Sequence, residues 1–194
     1  MSNALIYSPG LDGHRQLYVF VLASILKELD FKLFLACNFT QRVSNSFYID
    51  RVKMLHDITL IDTCTYPEGG LDISFSDFLE LQIKNNIDLT VFAEADHHIS
   101  LLTSQVQRRL RRLNGRLVGI FLRPFYYYKR QSLYDQLRYL KHLPTEWRHD
   151  PRFFHEVLLK RFSLLDSALY LDEKYVSGHK NTVWLPDVFQ QFAD

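Results

Sequence analysis

Short apolar runs alternate along this chain with longer segments of helical period, and that alternation constrains the fold more than any other feature. The runs Ala4 to Tyr7 (ALIY), Lys32 to Ala36 (KLFLA), Ile58 to Ile61 (ITLI), Asp88 to Ala93 (DLTVFA) and Arg116 to Leu122 (RLVGIFL) each have the length and composition of a buried strand. Ser167 to Leu171 (SALYL) and Thr182 to Leu185 (TVWL) repeat the pattern further on. Between the first two, Val19, Leu22, Ala23, Leu26 and Leu29 recur at spacings of three and four, which predicts a helix over Gln16 to Leu29. Similar patterns predict helices over Phe47 to His56, Ser76 to Asn85, Ile99 to Leu113, Gln131 to His142 and Arg152 to Leu165. Ser76 or Ser74 suits the N-cap of the third. Asn114-Gly115 is a stop signal for the fourth, and Asp172-Glu173 opens a short helix after the sixth strand.

Strands that are apolar almost throughout are covered on both faces, which is the condition of a parallel sheet flanked by helices. The expected fold is therefore α/β: a single Rossmann-like domain over residues 1–194, with six to seven parallel strands, right-handed crossovers and helices on both faces. Composition agrees. With 47% hydrophobic and 23% charged residues the chain falls in the folded, globular range, and only 7 glycines exclude collagen-like and linker-like readings. The two cysteines, Cys37 and Cys64, form neither a CxxC pair nor a Cys/His zinc spacing, so neither a disulfide scaffold nor a structural zinc site is expected. No stretch approaches the roughly 18 apolar residues a membrane span needs, and the amino terminus lacks a signal-peptide pattern, so the expected location is cytoplasmic.

In a doubly wound sheet, ligands bind at the carboxyl ends of the strands. That rule singles out the loops at 8–15, 37–45, 62–74, 94–98 and 122–130. The first is Ser8-Pro9-Gly10-Leu11-Asp12-Gly13-His14-Arg15. Its glycines allow a sharp turn and a close ligand approach, and the helix start that follows carries a positive dipole end. It lacks the third glycine of the dinucleotide fingerprint and the GK[ST] of a P-loop, which disfavours tightly bound NAD or ATP there. His14, with Arg15 beside it and Asp12 two residues earlier, suits a general base or a partner for a sugar hydroxyl. A turn and cap with a surface histidine fits the same residues.

The fourth loop, Glu94-Ala95-Asp96-His97-His98, sets two carboxylates and two imidazoles at the end of a strand. Adjacent histidines point in different directions and no third ligand at a suitable spacing accompanies them, so no metal is expected. Asp96 fits a helix N-cap, and one of His97 or His98 with one of the two carboxylates fits a substrate-facing pair. The fifth loop carries Arg123 and then Phe125-Tyr126-Tyr127-Tyr128-Lys129-Arg130, where tyrosine rings beside cations suit a carbohydrate or phosphate site, a packed loop or an oligomer contact.

The net charge of +1 conceals an uneven distribution. Residues 97–134 contain no acid but eight bases: Arg108, Arg109, Arg111, Arg112, Arg116, Arg123, Lys129 and Arg130. Residues 50–96 hold ten acids against three bases. Arg108, Arg111 and Arg112 share one helix face, which is either simply solvated or suited to an anionic membrane surface or a phosphate-bearing partner. No recognition motif supports nucleic acid as a partner.

The opening ALIYSPGLDGHRQLYVFVLASILKELDFKLFLA resembles the first strand, loop and helix of the acceptor-side domain of GT-B glycosyltransferases, whose first loop commonly carries a Gly-His or Gly-rich pair. DLTVFAEADHH is similar to their fourth strand and its loop, RLVGIFLRP to the next strand, and LLDSALYLDEKYVSGHKNTVWLPDVF to the end of that half-enzyme. The resemblance implies two facing Rossmann-like domains, with a nucleotide-sugar donor held mainly by the second. The chain ends at Asp194, where that second domain would begin, so it is expected to be an N-terminal half that needs its partner domain for turnover. Gly13 and His14 match the first-loop pair, His97 or His98 the fourth-loop position and Arg123 the fifth. Asp12, His14 and Asp96 are the candidate bases for an inverting reaction, while Gly13, Arg15, His97, His98, Arg123 and Tyr126 are the candidate substrate contacts.

The expected function is thus the acceptor-side domain of a glycosyltransferase, with a nucleotide-sugar as co-substrate, an acceptor hydroxyl, and no other cofactor. The alternative is a non-catalytic α/β module that binds a protein or, peripherally, the inner membrane face through the basic stretch at 108–130. A hydrolase on a related sheet is a weaker fit, because no GxSxG nucleophile elbow occurs.

Overall fold

The computed structural model describes residues 1–8, 10–11, 15–39, 47–54, 58–65, 73–95, 98, 115–121, 165–170 and 182–184. Strands β1 (Asn3–Tyr7), β2 (Lys32–Cys37), β3 (Ile58–Asp62), β4 (Leu89–Phe92), β5 (Arg116–Phe121), β6 (Ser167–Tyr170) and β7 (Thr182–Trp184) fall where the apolar runs predict them, with ends shifted by a residue or two. They form one seven-stranded sheet in the order β3-β2-β1-β4-β5-β6-β7. Every neighbouring pair is parallel. The expected α/β, Rossmann-like sheet is the observed one.

Helices α1 (Arg15–Glu28), α2 (Phe47–Met54) and α3 (Phe75–Lys84) lie between the first four strands. Strand alternation explains where they pack. Ala4 and Ile6 of β1, with Leu33, Leu35 and Cys37 of β2, face one side and bury Val19, Ala23 and Leu26 of α1 together with Val52 of α2. Leu5, Tyr7, Phe34, Ala36 and Phe92 face the other side, against Phe75, Phe78 and Leu81 of α3. At the centre of that second layer, Tyr7 meets Phe78 and Phe92 edge-on, with ring centroids 5.2 and 5.4 Å apart. Such aromatic pairs contribute about 0.5–1.5 kcal/mol each beyond their area burial.

The helices end by a common device. Asp30 (φ 62°) and Asn86 (φ 48°) adopt the left-handed conformation just past α1 and α3. In each case the next residue is apolar and its amide donates back into the last turn: Phe31 to the Leu26 carbonyl at 3.1 Å and Ile87 to the Gln82 carbonyl at 3.0 Å. This is the Schellman arrangement, with Asp and Asn standing where glycine is usual. At its start α3 is capped by Ser74, whose Oγ accepts from the Asp77 amide. The helix thus begins one residue before Ser76, and of the two serines it is Ser74 that caps it.

Two aspartates set the amino edge of the sheet. Asp88, just before β4, accepts from the Asn3 amide through Oδ2 at 2.8 Å, and Asp166, just before β6, accepts from the Leu117 amide at 2.7 Å. Gly115 sits beside Asp88 at φ +81°, where a Cβ would lie 2.3 Å from the Asp88 carbonyl oxygen, so only glycine fits. The helices predicted over 99–113 and 131–142, and residues 152–164 of the last, lie outside the described residues, as do the short helix after Tyr170 and the tyrosine run of the fifth loop. No helix among the described residues is long and apolar enough to cross a membrane.

Candidate functional site

The strand order decides where a ligand can enter. Connections β1–α1–β2 and β2–α2–β3 lie on one face of the sheet, while α3 carries the chain across the other face to β4. β1 and β4 are neighbours, and the chain passes from β1 to α1 on one face while Ala95 and His98, beyond β4, pack on the other; the carboxyl ends of this pair are the switch point at which sheets of this kind bind ligands in a crevice. The first and fourth loops of the sequence leave from these two strand ends.

Two residues join these loops. Arg15 is the first residue of α1, and Glu94 lies two residues beyond β4. The Arg15 Nε donates to Glu94 Oε2 in an ion pair between groups 79 positions apart in sequence. The side chains are 18% and 10% exposed, so the pair is largely withdrawn from water. The backbone around Glu94 is held on both sides: the Ala93 amide donates to the Tyr7 carbonyl at 3.2 Å and the His98 amide to the Ala95 carbonyl at 3.1 Å. Gly119 of β5 makes room for this turn, since a Cβ there would lie 2.9 Å from the Ala95 Cβ and 2.8 Å from Leu165 Cδ1.

Beneath the turn, His98 is buried at 3% exposure. Its imidazole stands edge-on to Tyr7 with centroids 5.0 Å apart and tilted against Phe92 at 6.1 Å. Tyr7, in turn, accepts through its hydroxyl from the Ile73 amide at 3.3 Å, which ties the entry to α3 to the same cluster. In the first loop, Ser8 Oγ donates to the Gly10 carbonyl at 3.0 Å and the Ser8 amide to the Ala36 carbonyl, folding the chain tightly as it leaves β1.

The carboxyl ends of β2 and β3 form the outer flank. Asp62 accepts from the Phe39 amide at 3.4 Å, and its carbonyl accepts from Thr65 Oγ1 at 2.7 Å. Thr63 is fully buried and its hydroxyl has no hydrogen-bond partner among the described residues. Cys37 is a buried free thiol whose pKa is raised by burial first and by the Asp62 charge second, with Lys53 acting in the opposite sense. A thiol so held stays protonated and is no nucleophile. Among the described residues, no three His, Cys, Asp or Glu side chains gather as a metal site requires.

Of the residues singled out in the sequence, the structure joins Arg15 to Glu94 and buries His98 against Tyr7 and Phe92. Asp12, Gly13, His14, Asp96, His97, Arg123 and Tyr126 lie outside the described residues, as does the arginine face at 108–112. Sequence reasoning did not single out Tyr7, which looks like any strand residue until its neighbours are known. Nor did it find the pairing of Glu94 with Arg15, for which the order of the strands was the missing signal.

An all-parallel sheet whose strand order reverses between β1 and β4, with helices on both faces, defines a Rossmann-like α/β fold. No protein-family model matches the chain, and no curated protein matches it. Among solved structures, the chain is similar to dTDP-glucose 4,6-dehydratase from Bacillus anthracis str. Ames in complex with NAD, at 12% identity and a TM-score of 0.46 over 88% of this chain and 54% of that one. It is also similar to apo UGT2 of Phytolacca americana, at 14% identity and a TM-score of 0.42 over 88% of this chain and 45% of that one. The chain therefore spans about half the length of these two proteins, and likeness at this level carries no information on what it does.

Proposed function

We propose that this chain is the acceptor-side half of a GT-B-type glycosyltransferase, moving a sugar from a nucleotide-sugar donor to an acceptor hydroxyl. The Arg15–Glu94 ion pair is the observation that carries this reading. It ties Arg15, at the end of the first loop, to Glu94, at the start of the fourth, and so supports a reading in which the two segments act at one site. Asp12, Gly13 and His14 immediately precede Arg15, and Asp96 and His97 follow Glu94 within three residues. In this reading His14, Asp12 or Asp96 takes the proton of the acceptor hydroxyl, and Gly13, Arg15, His97, His98, Arg123 and Tyr126 contact the substrates. The donor is held mainly by a second Rossmann-like domain, and no metal or other cofactor is required.

The absence of a dinucleotide fingerprint in the first loop supports a sugar acceptor over a tightly held dinucleotide. The test uses the full-length protein, supplied with UDP-, GDP- and dTDP-activated sugars and hydroxylated acceptors, with release of nucleoside diphosphate as the readout. Acceptor-dependent release that disappears in a folded His14→Ala variant is the expected result. No acceptor-dependent release from any donor overturns the reading, and full turnover in His14→Ala removes His14 from it.

A further inference from the structure

β3 is the outermost strand on one side of the sheet, and among the described residues no strand pairs with its other side. Its register with β2 sets Leu60 level with Leu35 and Thr59 level with Phe34. Leu60 therefore lies on the α1–α2 face and Thr59 on the α3 face. Both are exposed although they sit in mid-strand. Leu60 is 39% exposed where Leu35 beside it is 0%, and Thr59 is exposed where Phe34 beside it is buried. A strand open on both faces at its centre is open along the edge between them. Alternate residues of such a strand turn amide and carbonyl away from the sheet, and these groups are a template for one more strand. β3 carries little to discourage that pairing: it contains neither proline nor lysine, and its one charge, Asp62, stands at its end.

We propose that this edge is an interface between two copies of the chain, in which β3 pairs antiparallel with β3 of the second copy about a two-fold axis at Leu60 and the two sheets continue as one. The inference is independent of the transferase reading and goes beyond it. The sequence of β3 is complementary to itself in this register. Residues directly opposite in an antiparallel pair share a face, so Leu60 meets its own copy and Thr59 meets Ile61 of the second copy, and the outer row of side chains covers itself. Charge selects the same register. Centred on Leu60, the two Asp62 carboxylates lie at opposite ends of the pair, whereas a slip towards the strand ends brings them together and shortens the ladder. α2 adds a second complementarity. Val52 packs it onto the Leu60 face, and a two-fold axis perpendicular to the sheet sets α2 of both copies antiparallel on that face. Its exposed Asp50, Arg51 and Lys53 carry both signs, so the segment offers an acid and bases to its own copy. The arrangement uses each edge once and closes at a dimer rather than growing into a fibre.

The experiment is sedimentation velocity of the full-length protein over a concentration series, with an oxidative cross-link as a second readout. Wild type is expected to reach twice the monomer mass at the top of the series. Leu60→Lys sets like charges against each other at the axis and is expected to weaken association at least about tenfold. In a Cys37→Ala/Cys64→Ala background, Leu60→Cys is expected to form a disulfide-linked dimer at least about tenfold faster than Thr59→Cys, whose counterpart lies diagonally across the pair. Circular dichroism reports folding of each variant. A monomer at every concentration overturns the proposal, as does a dimer that folded Leu60→Lys leaves intact. If Leu60→Lys does not fold, the cross-link decides, and equal rates at the two positions, or no cross-link at either, overturn it. A monomer that instead takes an extended peptide at β3 assigns the edge to a different partner and overturns it equally.

Discussion

Gln82 of α3 donates from Nε2 to the Thr90 hydroxyl of β4 at 2.8 Å, a polar bond in the middle of an otherwise apolar helix–sheet interface. Both residues are buried, and the other end of the same amide, Gln82 Oε1, has no hydrogen-bond partner among the described residues. The bond is therefore half of a satisfied pair. Removing only the hydroxyl by Thr90→Val leaves the whole amide stranded and is expected to cost about 1–3 kcal/mol. Replacing both partners, in Gln82→Met/Thr90→Val, is expected to restore wild-type stability or exceed it, because two apolar groups need no partners. Urea unfolding of the two single variants and the double gives the coupling directly. A harmless Thr90→Val would show that the bond contributes nothing.

Cys37 is expected to resist labelling. Its thiol is buried and pushed well above the usual thiol range by burial and by Asp62, so iodoacetamide at pH 8 should modify it only as fast as the protein opens. The same shift has a sign for stability. The folded state holds the proton more tightly than the unfolded chain, so this contribution is fully present below the ordinary thiol pKa of about 8.5 and is lost as pH rises above it. Stability measured between neutral pH and mildly alkaline pH should fall more steeply in wild type than in Cys37→Ala. Equal slopes would contradict the assignment.

Gly119 is expected to tolerate no side chain. A methyl group there meets Ala95 Cβ at 2.9 Å and Leu165 Cδ1 at 2.8 Å, and while the leucine tip can shift, the Ala95 position is tied into the Glu94 turn. Gly119→Ala should cost about 1–3 kcal/mol, as overpacking commonly does. It should also disturb the crevice, visible as chemical-shift changes at Arg15 and Ala93 rather than at the amino edge of the sheet. Shifts confined to the neighbourhood of Gly119 itself would separate packing from the site.

Which parts of the molecule were legible in the sequence follows from the range of the interactions that create them. ALIY, KLFLA and DLTVFA announce strands because burial on both faces demands unbroken apolar runs. The Schellman ends at Asp30 and Asn86 are less visible, since neither residue is glycine, and the predicted helix ran on to Leu29. The loops that border the crevice were legible from the rule that ligands meet the carboxyl ends of parallel strands. Their pairing was not. Nothing local to Arg15 or Glu94 says that β1 lies against β4 rather than β3, and the edge-on contact of Tyr7 with His98 depends on the same fact.

That adjacency of β1 and β4 also governs the order in which the molecule can be assembled. The β1–β2 and β2–β3 pairs close over short stretches of chain, whereas β1 reaches its second neighbour only when Leu89–Phe92 is present, a closure spanning more than 80 residues. Distant pairings of this kind form late, because the entropy of closing the loop comes before any contact repays it. During synthesis, β1, β2 and β3 can pair while β1 still has one bare edge. The Arg15–Glu94 pair, which joins α1 to the chain beyond β4, comes into being in that same late step.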